Sequence, residues 1–258
     1  MSDIAVAVEG SGPPVVLVHN GVSDHHSWDR VAAGLVPQHT VIRYDLRGFG
    51  RTPPPTAGFR HRDDLAAVLD GLGLERAAVV GNSLGGYISL EFATRWPERV
   101  THLGLLAAPV SGWDWSRTVR DYGAAEESLL EAGDIDGATA LNKDMWVRGP
   151  HREWSPELTA IADEIDGAMR TSLVNQTVTG SFELPDDTAR PSTLLHVVRA
   201  KTLVAVGDAD ADDYPLIARD LAAGIRDARL VEIPGAGHLL PIERPELITA
   251  EIAALLTR

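Results

Sequence analysis

The chain predicts an α/β fold: a mostly parallel sheet covered by helices on both faces and interrupted once by a helical insertion. Three observations predict it. Short apolar runs bounded by Gly and Pro alternate with segments of helical spacing over residues 4–106, and the alternation resumes over 201–256. Between these blocks, residues 111–197 carry helical spacing and no buried strand-like run. Within the first block, a strand-like run turns through Gly81-Asn82-Ser83-Leu84-Gly85-Gly86 straight into helical spacing. That turn has the Gly-x-Ser-x-Gly form of a nucleophile elbow. So tight a turn strains the serine backbone, and the residues two places away must be nearly free of side chain. The helix that follows aims its free N–H groups at the spot where an oxyanion would form.

The remaining elements follow in order. Residues 4–8 alternate loosely as an opening strand, ended by Gly10-Ser11-Gly12-Pro13-Pro14. Val15-Val16-Leu17-Val18 reads as a strand buried on both faces, with His19-Asn20-Gly21-Val22 at its carboxyl end. Helical spacing of Trp28, Val31, Ala32 and Leu35 leads to a strand at 40–44 and a turn, Asp45-Leu46-Arg47-Gly48-Phe49-Gly50-Arg51. Pro53-Pro54-Pro55 then bars a helix. Leu65, Val68, Leu69 and Leu72 mark an amphipathic helix over 64–72, closed by Gly73. A strand at 77–80 enters the elbow, the elbow helix stops at Pro97, and 100–106 forms another buried strand. In the insertion, helices are expected over 119–132, 136–147 and 156–178, before a polar stretch at 184–192. Strands at 201–206 and 229–233 and helices at 215–225 and 245–256 complete the chain. The expected organisation is a core of residues 1–110 and 198–258 with a helical cap or lid at 111–197.

Composition narrows the function. With 258 residues, 44% of them hydrophobic, the chain supports one large domain with an insertion and is no disordered polymer. The formal charge of −14, from 37 acidic against 23 basic residues, repels phosphate backbones, and no basic cluster offsets it. Nucleic acid is therefore not an expected partner. No apolar run approaches the ~20 residues of a membrane span, and Met1-Ser2-Asp3-Ile4 lacks the start of a secretory signal. Cysteine is absent, which excludes a thiol nucleophile and thiolate metal sites. A cytoplasmic location and a small-molecule substrate are expected; oligomeric state is not readable.

A serine hydroxyl needs a base, usually a histidine oriented by a carboxylate. Of nine histidines, His238 follows a strand in the loop Pro234-Gly235-Ala236-Gly237-His238, where glycines let the backbone approach the sheet edge. Asp210 follows a strand in Gly207-Asp208-Ala209-Asp210, although Asp208, Asp212 and Asp213 crowd it and Asp114 follows the strand before the insertion. Ser83, Asp210 and His238 then stand in the serine-acid-histidine order of this elbow. An oxyanion hole needs two backbone donors. Leu84 N–H is one; Gly21, with Val22 next to it, is the candidate for the other. His19 is expected to order that loop without doing chemistry. Adjacent His25 and His26 point different ways, and no metal and no cofactor is expected. Four of the six tryptophans, Trp113, Trp115, Trp146 and Trp154, lie in or near the first half of the insertion. Trp113, Trp115, Trp146 and Val22 are the candidate walls of an apolar pocket.

Taken together, His19-Asn20-Gly21, Asp45-Leu46-Arg47-Gly48-Phe49-Gly50, the elbow, Gly207-Asp208-Ala209-Asp210 and Gly235-Ala236-Gly237-His238 resemble an α/β-hydrolase of the compact, lidded serine hydrolase type. The resemblance implies an eight-stranded sheet and carries over Ser83, Asp210 and His238 as a triad. Similar proteins have glycine straight after the histidine of the oxyanion loop, where this chain has Asn20. The implied activity is hydrolysis of a carboxylic ester or lactone of a small-to-medium apolar substrate. Carbon–carbon or amide hydrolysis and cofactor-free perhydrolysis are open to the same triad. Similar families use an elbow aspartate for epoxide hydrolysis and dehalogenation, where this chain has Ser83. From another class, a non-hydrolytic ligand-binding or cyclisation role is an alternative.

Overall fold

Seven of the apolar runs become strands of one sheet in the computed structural model, which describes residues 3–184 and 193–257. They are β1 (Val6–Gly10), β2 (Pro14–Val18), β3 (Thr40–Tyr44), β4 (Ala77–Asn82), β5 (Val100–Leu106), β6 (Lys201–Gly207) and β7 (Ala228–Ile233). Their spatial order is β1-β3-β2-β4-β5-β6-β7. β1 runs antiparallel to β3, and every other pairing is parallel. The sheet thus has seven strands among the described residues, not the eight that the family resemblance implies. The chain offers a single strand-forming run before β2, and that run crosses to β3 and ends the sheet there.

Alternation along the strands explains the two layers of helix. Val15, Leu17, Val41, Val80 and Leu203 turn to one face, against α1 (Asp29–Leu35) and α10 (Pro245–Leu256). Val16, Val18, Ile42, Val79 and Val204 turn to the other, against α2 (His61–Gly71), α3 (Leu84–Arg95) and α8 (Asp213–Gly224). All ten strand side chains are buried, each worth roughly 1.5–3 kcal/mol of apolar transfer. One short helix, α9 (Leu240–Glu243), has no counterpart in the sequence pattern.

β2 pairs with β3 on one side and β4 on the other, so the winding direction reverses between β2 and β4. A crevice opens at such a point beyond the carboxyl ends of the strands. The register Val18↔Gly81 sets the loop after β2 beside the turn after β4.

The segment between β5 and β6 is helical: α4 (Arg117–Glu131), α5 (Ile135–Asn142), α6 (Pro156–Glu164) and α7 (Asp166–Phe182). Two of its expected helices differ in detail. The one expected at 136–147 stops as an α-helix at Asn142 and widens into a π-helical turn, Lys143–Arg148, ended by Gly149 at φ 78°. The wider turn swings Trp146 inward, where it is buried. The one expected at 156–178 starts at Ser155, whose hydroxyl caps Leu158 N–H, and breaks at buried Ile165. The polar stretch lies, from residue 185 to 192, outside the described residues. Among the described residues no helix is long and apolar enough to cross a membrane.

Candidate active site

The turn after β4 is forced by crowding. Ser83 sits at φ 54° and ψ −119°, a strained conformation for a residue with a side chain. A Cβ on Gly81 would lie 2.0 Å from Gly85 O, and one on Gly85 would lie 2.2 Å from Val18 O. Glycine at both positions lets the turn close on itself and press against β2. Ser83 N–H donates to Leu106 O at 2.8 Å and Ser83 O accepts from Tyr87 N–H at 3.0 Å, which pins the strained residue from both sides.

Ser83 Oγ stands 2.7 Å from His238 Nε2, and His238 Nδ1 stands 2.8 Å from Asp210 Oδ2. An ionised carboxylate only accepts, so the imidazole proton is on Nδ1 and Nε2 accepts from the serine hydroxyl. The other Asp210 oxygen accepts Ala211 N–H at 2.7 Å. Both His238 and Asp210 are buried. The His238 ring is clamped between Trp146 and Tyr214, each 4.5 Å away centroid to centroid. The rival acids are engaged elsewhere. Asp208 accepts Gly235 N–H, Asp212 meets His151, and exposed Asp114 faces Arg120. Asp213 accepts from Trp113 Nε1 and Ser116 N–H. Burial works against the Asp213 carboxylate, but these bonds outweigh it and hold it below its ordinary range.

The loop after β2 is held by its own side chains. His19 Nε2 accepts Leu46 N–H at 3.0 Å, so its Nδ1 carries the proton and donates to Asn20 O at 2.7 Å. Burial lowers its basicity further, and it stays neutral. Asn20 Oδ1 accepts both Val22 N–H and Ser23 Oγ–H at 3.0 Å. This turn commits the Val22 amide, whereas neither Gly21 N–H nor Leu84 N–H donates to a described residue. The buried carboxylate of Asp45 braces the loop from below. It accepts from His25 N–H, His25 Nδ1 and Arg51 N–H, which overcome the cost of burial and lower it to about 2. Asp24, His25 and His26 bring ligand atoms within 4.8 Å of one another. Their atoms already serve the loop: Asp24 caps His26 N–H, His25 meets Asp45 and His26 meets Asp29.

A cavity of about 220 Å³ opens on this centre. Gly21, Val22, Ser83 and His238 line it from the core side. Tyr122, Glu126, Asn142 and Trp146 line it from the helical segment. A second cavity of about 280 Å³ shares Gly21 and Gln176 with it. Two of the expected pocket tryptophans are not among the walls of either. Trp113 is turned away by its bond to Asp213, and Trp115 packs on Tyr214, behind His238.

Several residues at this centre escaped the sequence reading. Asn82, fully buried, donates from Nδ2 to Leu106 O and to His238 O, both at 3.1 Å, and so staples the histidine loop to the elbow. Glu243 brackets His238 by accepting Gly237 N–H at 2.9 Å and Leu239 N–H at 3.3 Å. Arg152 of the helical segment donates to the same carboxylate at 2.5 Å. Asn82 lies inside the elbow motif, and a polar residue ending an otherwise apolar strand was the signal that could have singled it out. Glu243 gave no signal, because α9 is a single turn.

The model of the Alpha/beta hydrolase family matches residues 15–251. A protein of Azorhizobium caulinodans, provisionally named a carbamate hydrolase, is 28% identical over 257 residues, spanning 95% of this chain and 92% of its own. The 2-hydroxy-6-oxo-2,4-heptadienoate hydrolase of Pseudomonas putida is 39% identical over 145 residues, 47% of this chain and 52% of its own. Among solved structures, a thermophilic esterase from Thermogutta terrifontis matches with a TM-score of 0.79 at 29% identity, covering 98% of this chain and 93% of that one. The enol-lactonase from Burkholderia xenovorans matches in fold, with a TM-score of 0.80 at 23% identity, covering 99% and 96%. The family model takes in the loop after β2, the elbow and the His238 loop together, and the chain belongs to the alpha/beta hydrolase family.

Proposed function

We propose that the chain is a serine hydrolase that cleaves a carboxylic ester or lactone of a small-to-medium, largely apolar substrate through an acyl-enzyme. The observation that carries this is the unbroken relay from Ser83 through His238 to Asp210 at the wall of a cavity. His238 Nε2 takes the Ser83 proton as Oγ attacks the carbonyl carbon, and Asp210 stabilises the imidazolium. Leu84 N–H and Gly21 N–H, the uncommitted amides on either side of Ser83, hold the oxyanion. The imidazolium then protonates the leaving alcohol, and the neutral ring activates the water that releases the acid. The helical segment acts as a cap, with Trp146 covering the imidazole and keeping bulk water off it.

Carbon–carbon hydrolysis is the second reading, favoured by the identity to the heptadienoate hydrolase over part of the chain. A dienoate carries a carboxylate, however, and among the described residues the cavity walls hold Glu126 and Glu183 but no lysine or arginine. That charge balance favours the ester or lactone reading. A panel of p-nitrophenyl esters, lactones and dienoate diketones tests it. An ester or lactone is expected to lead, with Ser83→Ala lowering kcat by about 10³-fold or more. A dienoate as best substrate overturns the ordering. Turnover that survives Ser83→Ala overturns the hydrolase itself.

A further inference from the structure

The cavity wall opposite the core is a polar socket that ester hydrolysis does not use. Tyr122 Oη accepts Trp146 Nε1–H at 2.9 Å and lies 2.8 Å from both Glu126 Oε1 and Asn142 Oδ1. Asn142 Nδ2 donates to Glu126 Oε1 at 2.6 Å and to Ala138 O at 3.0 Å. Those two bonds use both amide protons and turn Asn142 Oδ1 toward the phenol. Tyr122 sits edge-on to Trp146, whose ring lies against His238, so the socket is held at a fixed remove from the relay.

Counting protons shows what the socket lacks. A phenol has one proton to give, and two acceptors lie 2.8 Å from it. Burial, with Glu126 beside it, holds the phenol well above its ordinary range, so that proton stays on. Asn142 Nδ2 already serves Glu126 Oε1, so the phenol proton goes to Asn142 Oδ1 and the network has no proton left over. Glu126 Oε2 takes no hydrogen bond from a described residue, since both bonds to this carboxylate land on Oε1. Among the described residues no lysine or arginine lines the cavity to balance the charge. A socket with a spare carboxylate oxygen, a negative charge and an opening onto the nucleophile is suited to a ligand that brings protons. An apolar lid pocket has no use for such a network, whose members would have to be desolvated whenever a hydrocarbon entered.

We propose that Glu126, braced by Tyr122 and Asn142, is the specificity residue of this pocket and takes a hydroxyl or ammonium group that the substrate carries a few bonds from its scissile carbonyl. The proposal rests on Ser83 being the nucleophile. It narrows the substrate class to a hydroxy or amino ester or lactone whose body is apolar. A substrate with a carboxylate in the same place meets Glu126 and is rejected.

The test is a set of p-nitrophenyl esters of one short acyl chain ended in methyl, hydroxyl, ammonium or carboxylate. A matching set carries the same groups on the alcohol side. Each kcat is normalised to the Ser83 sites titrated by an organophosphonate. In the native protein the hydroxyl or ammonium ester is expected to exceed its methyl counterpart in kcat/KM by about 10- to 100-fold, with the carboxylate last. Glu126→Gln, which removes the charge, should lower the ammonium ester relative to the hydroxyl ester, and Glu126→Leu should put methyl first. A native protein that favours methyl, or an order unchanged in both variants, overturns the proposal while normal titration leaves the hydrolase standing. Failure of Ser83 to titrate in folded native protein overturns both.

Discussion

Replacing Asn82 with alanine should loosen the centre without touching any group that reacts. Its amide bonds Leu106 O and His238 O at 3.1 Å inside a fully buried site. Leu106 O keeps the Ser83 amide at 2.8 Å, so its loss is one net hydrogen bond, about 1 kcal/mol. His238 O loses this partner without access to water, which costs about 1–3 kcal/mol. The expected destabilisation is about 2–4 kcal/mol, or a Tm lower by about 4–8 °C for a chain of this size. The His238 loop is also released from the elbow, and misplacement on the order of 1 Å costs about 100-fold in kcat. Asn82→Asp should do worse, because its nearer oxygen would face two carbonyl oxygens. Calorimetry and ester kinetics read both effects. A variant with native Tm and native kcat would refute the idea that Asn82 holds the base in place.

Other outcomes follow from the same geometry. Gly85→Ala should cost more than 4 kcal/mol or prevent folding, because its Cβ would meet Val18 O at 2.2 Å. Gly123→Ala, on the exposed side of α4 with nothing within 4 Å, should stabilise by about 0.5–1 kcal/mol, and urea melts distinguish the two. Burial lowers His61 to about 3, below its unfolded value, so the unfolded chain binds the extra proton as pH falls through 6.5. Stability is therefore intact above pH 6.5 and declines below it. Relative to His61→Gln, the native protein should lose about 2 kcal/mol between pH 6.5 and 5; parallel pH profiles would refute this. Asp45, held at about 2, keeps its contribution down to about pH 4 and loses it as pH falls toward 2. Asp45→Asn should flatten the acid limb of the stability curve.

The fold was legible because the central strands announce themselves: apolar runs between breakers, such as Val15 to Val18, leave few alternatives. The elbow was legible because its glycines answer a steric demand that acts within five residues. Contacts made across the chain were not. Glu243 meets Arg152 at 91 residues' separation, and nothing local to Pro241-Ile242-Glu243 distinguishes it from a surface acid. The tryptophans of the helical segment read alike in sequence. The π-helical turn at Lys143–Arg148 separates them, bringing Trp146 onto His238, while Trp113 is held off by Asp213. Asn20 looked like a departure from a glycine rule. Its side chain builds the turn that occupies Val22 N–H and leaves Gly21 N–H available.

Labelling with a fluorophosphonate, read by mass spectrometry of the digested protein, tests Ser83 as nucleophile most directly. One adduct per chain is expected, on Ser83, with labelling slowed about 10³-fold or more in His238→Ala. A folded protein that takes no label, or takes it on another residue, would contradict the assignment of the relay.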